Sequence, residues 1–157
     1  MLVRLMSLVS IYLKGKFPDL EVIRGYELRV AIAEMQKVQE EGLKRLYVLA
    51  PIRTGRDTLL SRNNTIQRDI GLTVALLAKT SSFDVKECDP LLDLAETIRK
   101  SLWGAKHFII AQDGYSSANF IRLEDVSAGG PEDETRLFAA VMIPFYRVIH
   151  NLDKMGS

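Results

Sequence analysis

Residues 46–79, LYVLAPIRTGRDTLLSRNNTIQRDIGLTVALLAK, constrain the fold more than any other stretch of the chain. In the second half, Ile66, Ile70, Leu72, Val74 and Leu76 share one parity, while Gln67, Asp69, Gly71 and Thr73 take the other. That period of two is the signature of a half-buried strand, and it predicts a sheet with one wet face. The apolar run at the start of the stretch predicts an antiparallel partner strand. Between the two, Thr54-Gly55 and Asn63-Asn64 supply turn chemistry, because Gly and Asn tolerate positive φ and short polar side chains bond the nearby backbone. The connection is therefore expected to project as a loop carrying Arg53, Arg56 and Arg62, with Arg68 just inside the second strand.

Ahead of this hairpin, Leu2, Leu5, Met6, Val9, Tyr12 and Leu13 recur at helical spacing, so residues 2–14 are predicted to form an amphipathic helix that Gly15 and Pro18 end. Its apolar stripe suits packing on the sheet better than a membrane surface or a partner helix. The stretch has no small-x-small cleavage pattern and falls short of the ~20 apolar residues that a spanning helix needs, so a soluble, unprocessed chain is expected. Residues 20–24 read as an edge strand and 26–43 as partly helical, with Leu28, Ala31, Ile32 and Met35 on one side.

Beyond the hairpin, Asp89-Pro90 reads as an N-cap followed by a proline at the first helical position. Leu91, Leu92, Leu94, Ala95, Ile98 and Leu102 then mark a helix over 90–103. Residues 107–111 and 120–126 suit strands, and Gly129-Gly130-Pro131 predicts a turn. Residues 136–148, RLFAAVMIPFYRV, make a last strand, apolar on both parities and so expected to be covered on both faces. Pro144 lacks an N–H, which points to a sheet edge or a bulge. The order predicts an α+β fold, a mostly antiparallel sheet with two main helices packed on one face. Residues 1–150 are expected to form a single domain, and 151–157 a flexible C-terminal tail.

The bulk numbers narrow the function classes. A chain of 157 residues with 47% hydrophobic and 26% charged residues is expected to fold as one globular unit. Its net charge of +1 gives no general attraction to polyanions, for which a domain pI above ~9 is the usual mark. The single cysteine, Cys88, forms no intramolecular disulfide and no thiolate cluster for zinc.

A catalytic constellation is not legible. His107 and His150 lie in no HExxH pattern, so no metal site is expected, and the chain has no GxxxxGK[ST] or GxGxxG cradle for a nucleotide. Asp84, Glu87 and Asp89 lack calcium-loop spacing and are better explained as capping a helix. A hydrolase built on Cys88 and His107 is the weakest alternative. What remains is the arginine segment, four planar forks within sixteen residues opposed by Asp57 alone, suited to DNA or to an acidic protein surface. Ordinary solvation of a loop explains it as well.

In order and pattern the chain resembles the tail terminator, or tail completion, proteins of long-tailed bacteriophages. The resemblance is carried by the short N-terminal helix, the hairpin V-L-A-P-I-R…R…T-I-Q-R-D-I-G-L-T-V-A-L-L, the helix D-P-L-L-D-L-A-E-T-I and the closing strand L-F-A-A-V-M-I-P-F-Y-R, over roughly residues 3–148. It implies a structural virion protein rather than an enzyme, with no cofactor, assembled in the host cytoplasm. Such a subunit forms a ring, commonly a hexamer, that caps the tail tube, meets the head-side connector and, in contractile tails, the sheath. Arg53, Arg56, Arg62 and Arg68 become candidates for a loop facing a partner or the lumen through which DNA passes. With a ring in view, Phe138, Met142, Phe145 and Tyr146 on the closing strand become candidates for a subunit interface, the alternative being a sheet buried within the monomer. Another head-to-tail connector or neck protein, or a small nucleic-acid-binding module using the arginines, are the competing readings. No membrane partner is expected.

Overall fold

A computed structural model of the chain describes residues 1–51, 58–61, 64–104, 106–132 and 137–154. The order of elements is α1 (Leu2–Lys16), β1 (Glu21–Gly25), α2 (Leu28–Gln36), β2 (Lys44–Leu49), β3 (Thr58–Ser61), β4 (Thr65–Gly71), β5 (Thr73–Lys79), α3 (Val85–Gly104), β6 (His107–Gln112), β7 (Tyr115–Glu132) and β8 (Leu137–Asn151), followed by a 3-10 turn at Leu152–Lys154. The fold is α+β, with three helices on a curled, mostly antiparallel sheet.

The sheet is built around β8. Along one edge β8 pairs first with β5, Leu137 opposite Lys79 to Met142 opposite Val74, and then with β4, Phe145 opposite Gly71 to Asn151 opposite Thr65. The register does not change between the two, so β4 and β5 run as one strand interrupted only where Leu72 meets Pro144. There the Leu72 N–H donates to the Pro144 carbonyl at 3.1 Å and the proline returns nothing. Pro144 thus lies mid-sheet, not at an edge, where the ladder already breaks. Along its other edge β8 pairs with β7 through four register shifts. Each shift is an irregularity of the bulge type, which bends a strand and increases its twist. The turn predicted at Gly129-Gly130-Pro131 is absent, because β7 continues through Gly130 opposite Ala139 and Pro131 opposite Phe138, just past the last shift.

β2 pairs antiparallel with β5, as the hairpin pattern predicts, while β3 adds to the outer edge of β4. The connection between β2 and the strand that follows is therefore more than a loop. β1 pairs parallel with β2. Parallel neighbours need a crossover, and α2 supplies it.

Alternate residues of the sheet feed two separate cores. On the first face Leu46, Val48, Leu72, Val74, Leu76, Phe138, Ala140 and Met142 join Leu5, Met6, Val9 and Leu13 of α1 and Leu91, Ala95, Ile98 and Leu102 of α3 in one cluster. On the second face Tyr47, Leu49, Ala75, Leu77, Leu137, Ala139 and Val141 pack with Ala31 and Met35 of α2. Fully burying a Leu or Phe side chain is worth ~1.5–3 kcal/mol, so this clean parity fixes the register of β5 and β8. Edge-to-face aromatic contacts extend the first core toward β6 and β7: Trp103 to Phe120 at 4.8 Å, Phe120 to Tyr146 at 5.9 Å, Phe108 to Tyr146 at 5.8 Å and Tyr12 to Phe108 at 6.2 Å between centroids. Side-chain bonds to backbone lock α1 in place, from Arg4 Nε to the Ile110 carbonyl at 2.7 Å and from the Tyr12 hydroxyl to the Ser101 carbonyl at 2.7 Å.

α3 begins at Val85, five residues ahead of the predicted start, and Pro90 lies inside it. The first turn is held by Glu87, whose carboxylate accepts from the backbone N–H groups of Ser81 (2.6 Å) and Ser82 (2.9 Å) and from both serine hydroxyls. Those bonds hold the Glu87 carboxyl at about 2, against an ordinary 4.5. After β8, the Leu152 N–H donates to the Asn64 carbonyl at 2.9 Å and the Asn64 amide donates to Asp153 at 3.2 Å, which ties residues 151–153 to the start of β4.

Candidate functional site

α2 covers only the half of the second face formed by β2, β5 and the first part of β8. On the other half, the same parity continues along Gln67, Asp69 and Gly71 of β4 and Ile143, Phe145, Arg147 and Ile149 of β8, with Asn119, Arg122 and Glu124 of β7 and His107 and Ile109 of β6 beside them. Ile109 is 64% exposed and Ile149 38%. Both are large apolar side chains facing solvent.

The geometry here is specific. A Cβ on Gly71 would lie 2.8 Å from the Phe145 ring and 2.7 Å from Ile143, so the glycine is what lets the ring lie down across β4. The Arg122 guanidinium stacks on the Phe145 ring at 3.9 Å from its centroid. At this exposure such a contact is worth ~0.5–1 kcal/mol. Arg122 also meets Glu124 at 3.3 Å. Two residue pairs along, and so on the same face, Arg147 grips Asp69 with two bonds, at 2.9 and 3.2 Å, straight across the β4–β8 register. That carboxylate pushes the Arg147 guanidinium further above its ordinary value. The surface therefore combines apolar side chains with charges that neutralise one another locally, the composition of a protein contact more than of a polyanion groove.

At the end of this surface the β6–β7 turn, with Asp113 and Gly114 at positive φ, sits against the end of β8. The His150 ring stacks on Tyr115 at 3.9 Å with 5° between planes and its Nε2 meets the Asp113 carbonyl at 2.8 Å. An open groove of about 380 Å³ lies alongside, lined by Thr65, Gln112, Ser116 and Asn151 among others.

Against this surface the sequence candidates divide. Phe138, Met142 and Tyr146, expected at a subunit interface, are 1%, 3% and 0% exposed and belong to the first core, enclosed by helices and strands of their own chain. Side chains so enclosed cannot meet a neighbour without unfolding, so of the four candidates only Phe145, half-buried on the opposite face, remains available. Burial first, and the Tyr12 hydroxyl next, push the Tyr146 phenol well above its ordinary range. Arg53, Arg56 and Arg62 lie outside the described residues. Arg68 is in β4 opposite Val148, half-buried, with its Nε buried and without a partner among the described residues.

Cys88 and His107 are not brought together. Cys88 packs against the first core, where burial, and then Glu87, Asp89 and Asp84, push its thiol up. His107 stands on the second face, its Nδ1 2.6 Å from the Asn119 amide oxygen. Among the described residues no group of three or more His, Cys, Asp and Glu side chains is placed to hold a metal ion.

No protein-family model matches the chain, and no curated protein is significantly similar to it.

Gly71 and Arg122, which frame the Phe145 ring, were the part that sequence reasoning missed. Gly71 stands on the wet parity of β4, a signal that something approaches the backbone there. Its partner, 74 positions on, is fixed only by the register.

Proposed function

We propose that the protein is a structural assembly subunit that works through its surfaces: a tail terminator whose copies form a ring on the end of a phage tail tube and join it to the head-side connector, with no catalytic turnover and no cofactor. The observation that supports this reading is the uncovered half of the second face, where Phe145, Ile109 and Ile149 stand among charges already paired within the chain. A monomer gains nothing by exposing such a patch, whereas an interface core is built of aromatic and apolar residues with a polar rim. The proposal takes α1 and α3 as the two main helices on one face, so that neighbouring copies meet through the opposite one. A head-to-tail contact between unlike patches closes into a ring when the rotation allows. In this reading the segment holding Arg53, Arg56 and Arg62 faces a partner or the DNA-carrying lumen, and the protein resides in the neck of a virion assembled in the host cytoplasm.

Native mass spectrometry and negative-stain microscopy of the concentrated protein test the proposal directly. Rings that decorate the ends of purified tail tubes are expected. Monomers at all concentrations with bare tube ends would overturn it, and rings that bind connector complexes but not tube ends would move the protein to the head side of the joint.

A further inference from the structure

β6 pairs with β7 alone, and at its start the Phe120 N–H donates to the Lys106 carbonyl at 2.9 Å. Hydrogen-bonded and open pairs alternate along an antiparallel ladder, so Phe108, opposite Ala118, also bonds toward β7. His107 and Ile109 therefore turn their N–H and C=O groups away from it. Those groups have no partner among the described residues, and both residues are exposed, Ile109 by 64%. Past Ile109 the open stretch ends: the register shifts before Gln112, Ala111 stands at φ 47°, and Arg4 takes the Ile110 carbonyl at 2.7 Å.

Folds blunt an open edge with charge, proline or a bulge, because unpaired backbone is a template for another strand. β1 carries Glu21 and Arg24, and β7 past Phe120 carries Arg122, Glu124, Asp125, Pro131 and repeated register shifts. β6 has neither charge nor proline, and it is regular over His107–Ile109. Two outward residues with one between them are their own complement under a two-fold rotation. We infer that β6 joins two copies of this chain, strand to strand and antiparallel, about a two-fold axis at Phe108. His107 of one copy exchanges both bonds with Ile109 of the other, and Ile109 with His107. On the second face each His107 ring covers the Ile109 side chain across the join, an aromatic and β-branched pair of the kind that stabilises sheets, and on the first face the two Phe108 side chains meet. The contact uses one strand twice, whereas a ring closes through unlike patches, so it holds whether or not the ring forms.

Amide hydrogen exchange of the full chain, read residue by residue in concentrated and in dilute protein, tests the join, with mass followed by native mass spectrometry. A dimer, or a pairing of rings, is expected in the concentrated protein, with the His107 and Ile109 amides exchanging at least about tenfold slower there than on dilution. Ile109→Pro removes an N–H that the chain's own sheet does not use and suits an edge strand, so it should stay folded and lose both the doubled mass and the protection of the His107 amide. Ile109→Val should keep both. Monomer at every concentration, equal exchange of the two amides in associated and dilute protein, or a persisting doubled mass in Ile109→Pro would overturn the inference, and the exchange comparison needs no variant. Rings whose His107 and Ile109 amides stay unprotected would remove the join and leave the ring, and dimers without rings would do the reverse.

Discussion

Gly114 and Asn151 fasten the β6–β7 turn to the end of β8: the Asn151 N–H donates to the Gly114 carbonyl at 3.1 Å, and Gly114 itself stands at φ +87° with the Asn151 carbonyl packed where a Cβ would go. An alanine there meets both a backbone conformation L residues rarely adopt and a backbone atom that cannot step aside. Gly114→Ala should lower stability by about 2–3 kcal/mol, read as a reduced urea midpoint with unchanged slope. A loss under half a unit would show that the turn swings free of β8.

Tyr146 offers the opposite outcome. Its ring is central to the aromatic contacts of the first core, but its hydroxyl is buried and has no partner among the described residues. Tyr146→Phe keeps the ring and deletes the stranded group, so stability should rise by about 1 kcal/mol, whereas Tyr146→Ala should cost about 3–5 kcal/mol. Paired denaturation curves of the two variants check the contrast.

Acid should find the start of α3 first. The Glu87 carboxyl is held at about 2 against 4.5 when free, so its contribution is complete above 4.5 and is lost as pH falls toward about 2. Glu87→Gln should therefore flatten the decline of thermal midpoint between those two values while lowering the midpoint at neutral pH. Parallel slopes for the two proteins would show that the serine bonds contribute little.

Self-association should be separable from folding. Ile109 is exposed and its side chain belongs to the uncovered half of the second face. Ile109→Asp should leave the melting transition of the monomer within about 0.5 kcal/mol and abolish any ring seen by native mass spectrometry. Persisting rings would place the contact elsewhere.

Cys88 should be sluggish. Its thiol is raised first by burial and then by three carboxylates, so little thiolate exists at neutral pH. Reaction with a thiol reagent at pH 7 should run slower than with a free cysteine and accelerate as the pH is raised. Fast reaction at pH 7 would reopen the nucleophile.

Much of this architecture was legible because one parity of β4 is polar and because β5 and β8 are apolar on both, a pattern that only a central strand with two covers explains. The face that each helix takes was not legible. Periodicity marks α2 as amphipathic, but nothing in its sequence says that Ala31 and Met35 pack on Tyr47, Leu49, Ala75 and Leu77 rather than on the other parity of the same strands. The proline signals misled at Pro90 and Pro131, in a helix and a bulged strand that close around them. Three of the interface candidates were misplaced for a related reason: Phe138, Met142 and Tyr146 share a parity, and burial on that parity was decided by α1 and α3, far away along the chain.

β8 follows along the chain every strand that it bonds, yet it lies between them. During synthesis, β5 and β7 must wait with open edges until residues 137–151 leave the ribosome, and the sheet then closes in one late step around them. Long-range pairing of this kind is slow and leaves unpaired edges prone to capture by other chains. The nascent protein is accordingly most vulnerable until residues 137–151 emerge, and until then it should depend on chaperones more than a hairpin-first fold of equal size.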